Sequence, residues 1–470
     1  MLTDLNWLNR GEFFPPASEA ERLNTYEANR ILFESGHDKI YAEQFKRIER
    51  LIGNFQDVVS YPVIVNFQKL MSLKVADLLL GEPPDISCDD QDTLELILSE
   101  SDLINTAYMV AIDVSRYGSG LFYSRKKAEM PIVDITVPSV WFPVVNPRNI
   151  RDVKYHVLAY DTGGELDVEI HSVGSYEIRR YELSDNGMIG DYIEPPTVIK
   201  TGLDNFAITV APNVLTSDRV TGLDDYTDLD SILSDLMVRI GQIDRILDKH
   251  ANPSMQGPIT ALERDVNTGE YRVKIGNYFP RENKEDPEAA YLTWDGQLEA
   301  NFRQVDRLIN LLYTISEMGS ALMGDVSTGS TGAVVSGSAL RRLMISPLAK
   351  VNRIRMRFDE ALKESIRLTG LLHGKKLGDI TITWHDGLPG DPVEEAEIMK
   401  SRTAGKATMS QRRALELYDA MTEEKAEEEI ARIQADEASL NPMTLPPIEF
   451  DEVDDDGEIA EAVSGTDEDV

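Results

Sequence analysis

The sequence predicts an α+β fold, helical at both ends with a β-rich middle. Three observations carry this. Apolar residues recur at spacings of three and four through the first 117 residues. Between about 121 and 215 the period changes to two, punctuated by glycine and asparagine turn signals. Beyond 226 the three-and-four spacing returns in much longer runs.

Taken in order, Glu21 to Phe33 and Ala42 to Phe55 read as amphipathic helices. Val65 to Leu80 forms a third, stopped by Gly81-Glu82-Pro83-Pro84, and Asp92 to Tyr117 a fourth, ending at Gly118-Ser119-Gly120. The spacing then predicts strands at Leu121–Lys126, Ile132–Val137, Val140–Val145, Val153–Tyr160, Leu166–His171, Tyr176–Leu183 and Met188–Ile193. Gly163-Gly164 and Asp185-Asn186-Gly187 mark hairpins, because two-residue turns of the primed types need positive φ.

Two long helices follow, at about 226–250 and 296–324, each on the order of 40 Å at about 1.5 Å per residue. Asp228 and Asp230 in the first turn of the earlier one, with Arg245 and Lys249 in its last, suit the helix dipole. Between them lies a compact excursion of strands with an Asn267-Thr268-Gly269 turn. A flexible loop of small residues, Gly324 to Gly337, leads into a third long helix at about 338–371. Pro347 lies inside it, and an interior proline predicts a kink there. A strand at Ile380–Trp384 and helices from Asp391-Pro392, Ser410 and Thr422 complete the folded part, ending near Glu437.

The chain has 470 residues, 47 basic and 82 acidic, for a net charge of −35. From residue 433 onward thirteen acids and no Lys or Arg occur, so the first 432 residues still carry −22. That balance argues against wrapping nucleic acid through phosphate neutralisation. Residues 439–470 are acidic, poor in large apolar groups and expected to be disordered. The single Cys88 rules out a disulfide framework and a multi-cysteine zinc site. No run of about 18 apolar residues occurs, so no membrane-spanning helix is expected. Met1-Leu2-Thr3-Asp4 lacks the features of a secretory signal. These properties predict a soluble, acidic, intracellular multidomain protein.

Chemistry is sparse. The histidines His37, His156, His171, His250, His373 and His385 form no HExxH or similar pattern, so no catalytic zinc is expected. The Gly324–Gly337 loop lacks the Gly-Lys-Ser/Thr of a phosphate cradle, and no GxSxG elbow exists. Glu452 to Gly457 fails as a calcium loop, since Val463 stands where a bidentate Glu is needed. Cys88, beside Asp89 and Asp90, has nothing to activate its thiolate. No cofactor and no metal is expected. The third long helix concentrates Arg341, Arg342, Lys350, Arg353, Arg355, Arg357, Lys363 and Arg367. These cations either contact nucleic acid or pair with acids on neighbouring segments or chains.

Several local marks occur in a fixed order: Val65-Asn66-Phe67 with Lys74-Val75-Ala76-Asp77; Gly81-Glu82-Pro83-Pro84; Tyr117-Gly118-Ser119-Gly120; and Pro138 to Pro143 with Trp141-Phe142. Ser336-Gly337-Ser338-Ala339-Leu340, Leu388-Pro389, Glu394 to Glu397, Ala404-Gly405, Ser410 and Ala414-Leu415 continue it. On these marks, from about residue 20 to 437, the chain resembles the portal (head-to-tail connector) proteins of tailed bacteriophages, in the siphophage-type group.

The resemblance implies a ring-forming portal fold: wing at 1–225, stem helix at 226–250, clip at 251–295, stem helix at 296–324 and tunnel loop at 325–337. The kinked helix and its return to the wing would occupy 338–400, a crown 401–438 and an acidic tail 439–470. It implies a dodecamer at one capsid vertex that conducts double-stranded DNA, without sequence preference, during packaging and ejection. Its partners would be the terminase large subunit, the major capsid and scaffolding proteins and a neck or adaptor protein, with no membrane. Assembly would take place in the host cytoplasm, the finished protein residing in the virion. The portal would not be an enzyme, ATP hydrolysis belonging to the terminase. Tunnel-loop residues Ser327, Thr328, Gly329, Ser330, Thr331, Val334 and Val335 would line the channel. Arg341, Arg342, Lys350 and Arg353 are candidate contacts to DNA or to a neighbouring subunit, and Pro347 is the helix kink. Another phage tail or baseplate protein, or a metal-dependent acidic nuclease, stands as the alternative.

Overall fold

Among the described residues three apolar clusters organise the part of the chain before residue 390. The structure, a computed structural model, describes residues 1–44, 46, 63–251, 255–256, 262–264, 266, 271–273, 290–291, 298–322, 342–385, 392–404, 407–418, 421 and 423–440. Met1–Pro389 and Gly390–Val470 form two units.

In the first unit, α1 (Ala20–Phe33) and α2 (His37–Ile40) precede α3 (Phe67–Leu80). The Asn66 side chain caps α3 by accepting from Lys69 N at 2.9 Å, and Gly81 N–H closes its end on Asp77 O. Met71, Val75, Ala76, Leu78 and Leu79 are all buried, so α3 is covered on more than one side. The single helix expected from Asp92 to Tyr117 is two: α4 (Gln91–Glu100) and α5 (Leu103–Tyr117). Asp102 takes a left-handed φ of 43° between them. Thr106 Oγ1 donates to Ser101 O while Ser101 Oγ accepts from Val133 N, so local side-chain bonding replaces a helical turn.

The β-rich region is two sheets rather than one meander. β2 (Ser119–Lys127), β3 (Met130–Ile135) and β9 (Ile208–Pro212) form an antiparallel sheet in the order β3-β2-β9. The second sheet is a five-stranded antiparallel meander: β4 (Trp141–Asn146), β5 (Asn149–Asp161), β6 (Glu165–Ser172), β7 (Ser175–Leu183) and β8 (Ile189–Lys200). Gly163 and Gly164 sit at φ 82° and 99° in the β5–β6 turn, where a side chain would be strained. The strand expected to end at Ile193 runs to Lys200 through Pro195 and Pro196, which an edge strand tolerates. Upstream of α4, β1 (Asp85–Ser87) pairs with β14 (Thr381–Thr383).

The long helices are α6 (Asp230–Ala251), α7 (Leu298–Ile315) and α9 (Ile345–Leu372), with the one-turn α8 (Gly319–Leu322) after α7. The stretch expected as one helix from 296 to 324 therefore breaks at Ser316–Met318, where Glu317 has φ 60°. The long helix expected from about 338, with its kink at Pro347, is interrupted at Met344. Among the described residues α9 starts at Ile345, with Met344 as its N-cap, so Pro347 lies in the first turn. There its missing N–H is one that no carbonyl of α9 would have served; residues 342–343 are also helical, and Met344 interrupts the run as a turn residue. α9 packs its Phe358 edge-on against Phe122 of β2 at 5.6 Å and against Trp384 at 6.2 Å. A buried Phe of this kind contributes about 3–5 kcal/mol.

The described residues between α6 and α7 form two short antiparallel ladders. β10 (Met255–Gln256) pairs with β13 (Ala290–Tyr291), and β11 (Leu262–Arg264) with β12 (Tyr271–Val273). The second unit holds α10 (Pro392–Thr403), α11 (Gln411–Tyr418) and α12 (Glu423–Leu440). Ser410 caps α11 by accepting from Arg413 N at 3.2 Å, and Arg412 clamps α11 to α12 through Glu423 and Glu427. The expectations for Ala42–Phe55, apart from its first residues, for the Thr422 cap and for the acidic tail from 441 lie outside the described residues.

Candidate functional site

The loop singled out by its small residues lies outside the described residues, including Ser327, Thr328, Gly329, Ser330, Thr331, Val334 and Val335. What the structure describes is the junction on its two sides. A Cβ built on Gly319, at the start of α8, would lie 3.6 Å from Leu343 O and 3.8 Å from Pro347 Cγ. The helix turns before and after residues 323–341 are thus in contact.

Lys350 holds that junction together. The helical spacing Pro347, Lys350, Val351, Ile354, Phe358 puts its side chain on the buried face of α9. Its Nζ donates to Ser316 O at 3.1 Å and pairs with Asp225 at 2.9 Å, with side-chain exposures of 7% and 8%. Ser316 is the first residue after α7, so the ammonium takes up a carbonyl that the helix break leaves without an intrahelical donor. Asp225 accepts in addition from Ser115 Oγ at 2.7 Å and Asn213 Nδ2 at 3.0 Å. Ser72 Oγ donates to Ser115 Oγ and contacts Tyr226 OH at 2.7 Å. A connected polar chain therefore joins α3, α5, the end of β9, the entry to α6, the end of α7 and α9. Burial pushes the Tyr226 phenol far above its ordinary value.

The remaining cations of α9 are mostly engaged within the chain. Arg353 pairs with Glu317 at 2.5 Å, across the helix break. Arg357 donates to Asn213 O, and Arg355 to Leu78 O and His385 O. Lys363 meets Asp359, and Arg367 meets Asp204 and Glu364. Arg342 is exposed and Arg341 lies outside the described residues. Of the four candidate contacts, Lys350 is therefore corrected. It is buried and neutralised inside its own chain, since an ammonium is taken out of water only against a partner such as Asp225.

Sequence reasoning missed Asp225, Ser115, Ser72 and Asn213, whose separations run up to 154 residues. A usable signal existed for Lys350: it stands three residues before Arg353 on one side, but four before Ile354 on an apolar stripe.

The arrangement anchors; it does not present reactive groups. Among the described residues no group of three or more His, Cys, Asp or Glu could hold a metal ion, and no helix is long and apolar enough to cross a membrane. Cys88 Sγ donates to Asp90 O at 3.3 Å, and burial raises its thiol.

Residues 21–443 match the family described as "Phage portal protein, SPP1 Gp6-like". No curated protein matches significantly in sequence. Among solved structures, a chain in the virion of a native gene transfer agent particle is 10% identical with a TM-score of 0.44, over 77% of this chain and 90% of that one. A chain in the neck of an empty gene transfer agent particle, computed with C6 symmetry, is 12% identical with a TM-score of 0.41, over 75% and 88%. One in the neck of the native particle, computed with C12 symmetry, is 12% identical with a TM-score of 0.37, over 75% and 89%.

Proposed function

We propose that this chain, which belongs to the SPP1 Gp6-like phage portal protein family, is one subunit of a closed dodecameric ring at a single capsid vertex. The family match over residues 21–443 is the observation that carries the reading. In the ring, double-stranded DNA passes through the centre during packaging and ejection. The terminase large subunit docks first, a neck or adaptor protein later, and the capsid and scaffolding proteins surround the ring.

We assign residues 1–225 to the wing, α6 and α7 to the stem, 251–295 to the clip, 325–337 to a tunnel loop and 401–438 to the crown. Physical features support this. Leu247 on α6 and Phe302, Leu311 and Ile315 on α7 are exposed in the single chain, and a neighbouring subunit would cover them. The acidic surface repels phosphate, so duplex can slide without the counterion-release affinity that would hold it. The buried Lys350–Asp225 pair fixes both stem helices to α9, giving the loop rigid mounts.

Purified protein viewed from the top by electron microscopy, with native mass measurement, tests the reading. Closed rings of twelve copies are expected; monomers or open filaments under every assembly condition overturn it. Deletion of Ser327–Thr331 tests the loop separately: rings should form normally and package or retain DNA poorly.

A further inference from the structure

At one end of the five-stranded sheet the chain displays a cluster of cations that form no salt bridge among the described residues. Arg148, Arg151 and Lys154 are exposed on the β4–β5 hairpin. Arg151 Nη2 donates to Thr216 O at 3.2 Å, which brings the turn ending at Arg219, also exposed, to the same place. Lys154 Nζ reaches Thr3 O at 3.4 Å. None of the four has a carboxylate within ion-pair distance among the described residues, whereas most cations of α9 do.

The neighbouring acids hydrogen-bond to neutral donors, and Asp218 also lies in the field of Arg219. Asp152 Oδ2 accepts from Asn146 Nδ2, Asp218 Oδ1 from Thr216 Oγ1 and Asp4 Oδ1 from Asn6 N. The backbone displays the cations in a fixed form. Register shifts around Val145 leave Lys154 and residues 150–152 without partners on β4, so β5 bulges at these positions. Asn146 Oδ1 accepts from Arg148 N and Asn149 Oδ1 from Arg151 N, fixing the turn by side-chain bonds.

We propose that this end of the sheet docks an acidic polypeptide segment of a partner protein. Charge complementarity selects the occupant. A duplex of about twenty base pairs reaches well beyond the four cations onto the rest of a chain with net charge −35, and needs many phosphates neutralised at once. A short acidic peptide covers this patch alone, where Arg148, Arg151, Lys154 and Arg219 outnumber Asp4, Asp152 and Asp218, and charge beyond a Debye length, about 8 Å at physiological salt, is largely screened. A preformed hairpin also lowers the ordering cost of binding. The inference does not depend on the chain forming a portal ring.

The test uses the full chain and three fluorescent probes: a peptide of about a dozen Glu and Asp residues, a Gly-Ser peptide and a duplex of about twenty base pairs. Arg148→Glu with Lys154→Glu should weaken the acidic peptide by about tenfold or more, a free-energy change of about 1.4 kcal/mol. Lys126→Glu with Lys127→Glu imposes the same change of net charge at the β2–β3 turn and should alter binding less than about twofold. Should the glutamate pair perturb folding in a thermal melt, Arg148→Gln with Lys154→Gln gives the same reading with a smaller effect. Absence of acidic-peptide binding, equal loss in both charge-reversed proteins, or equal binding of the Gly-Ser peptide overturns the proposal. Tighter binding of the duplex, lost on the same substitutions, overturns it in favour of nucleic acid.

Discussion

Lys350 and Lys154 are the same side chain used in opposite ways. Lys350 is buried, with its ammonium on Asp225 and Ser316 O, and it holds helix ends in place. Lys154 stands at a bulge on the surface, with a single long contact to a carbonyl. The difference teaches where electrostatics matters to this fold. A charge taken out of water is tied to stability, because losing its partner leaves the other charge exposed to a low dielectric. A charge left in water contributes almost nothing to stability and stays available to a partner.

The largest expected effect breaks the buried pair. Lys350→Met leaves Asp225 without its cation and should cost about 3–5 kcal/mol in denaturant unfolding. Adding Asp225→Asn should restore part of that loss, since the uncompensated charge then goes. A single substitution that left the unfolding midpoint unchanged would mean that the junction is not held by this pair.

A second measurement extends the comparison to groups that titrate. His156, in β5, is buried and accepts the Trp141 Nε1–H at its Nδ1. Burial, helped by the nearby His171, holds its pKa down at about 3. A depressed base favours the neutral folded form, so the unfolded chain binds the extra proton below pH 6.5 and stability falls with pH from there. Between pH 6.5 and 4.5 the loss is about 2–3 kcal/mol. Asp113 acts in the opposite sense: burial, only partly offset by Arg116, lifts its pKa to about 6. Its contribution is fully present below the unfolded carboxylate value near 4 and is lost as pH rises through 6. Asp113→Asn should therefore steepen the acid loss of stability measured by thermal melts at stepped pH, and a shallower slope would contradict the assignment of signs.

Which parts of this were legible in the sequence follows from the range of the forces involved. The Gly163-Gly164 hairpin and the helix ends at Gly81 and Gly118 were legible, because positive φ and chain termination are local demands on a residue type. The break after α7 was not. The Lys350 ammonium that meets Ser316 O there comes from 34 residues away, and apolar spacing runs through the break undisturbed. β9 escaped notice because a five-residue strand, Ile208–Pro212, with alanine and proline in it has no strong period and is made a strand by β2. Pro347 reads as interior because Leu340 and Leu343 prolong the apolar spacing upstream, whereas α9 begins at Ile345 after the turn at Met344. The basic stretch was legible as a stretch, but the sequence does not show which of its cations face inward.

A smaller effect is expected midway between the two lysines. Arg353 and Glu317 form an ion pair in which both side chains are about two-fifths exposed. Solvent screens such a pair, so Arg353→Ala should cost roughly 0.2–1 kcal/mol, well short of the Lys350 substitution only three residues away. A loss equal to that at Lys350 would show that the helix break depends on both cations together.

The smallest effect should come from the sheet end. Arg148→Glu with Lys154→Glu removes no ion pair and no buried contact, because neither side chain has a carboxylate partner among the described residues. Lys154 gives up a 3.4 Å bond to Thr3 O, which water can replace at that exposed position. The chain becomes more acidic, and self-repulsion rises slightly. Stability should therefore change by no more than about 0.5 kcal/mol, as for surface substitutions generally. Equilibrium unfolding in urea at two salt concentrations measures it, since any residual electrostatic part should shrink as salt is added. A loss above about 2 kcal/mol that survives high salt would place the hairpin among the structural elements of the fold, and the contrast between the two lysines would collapse.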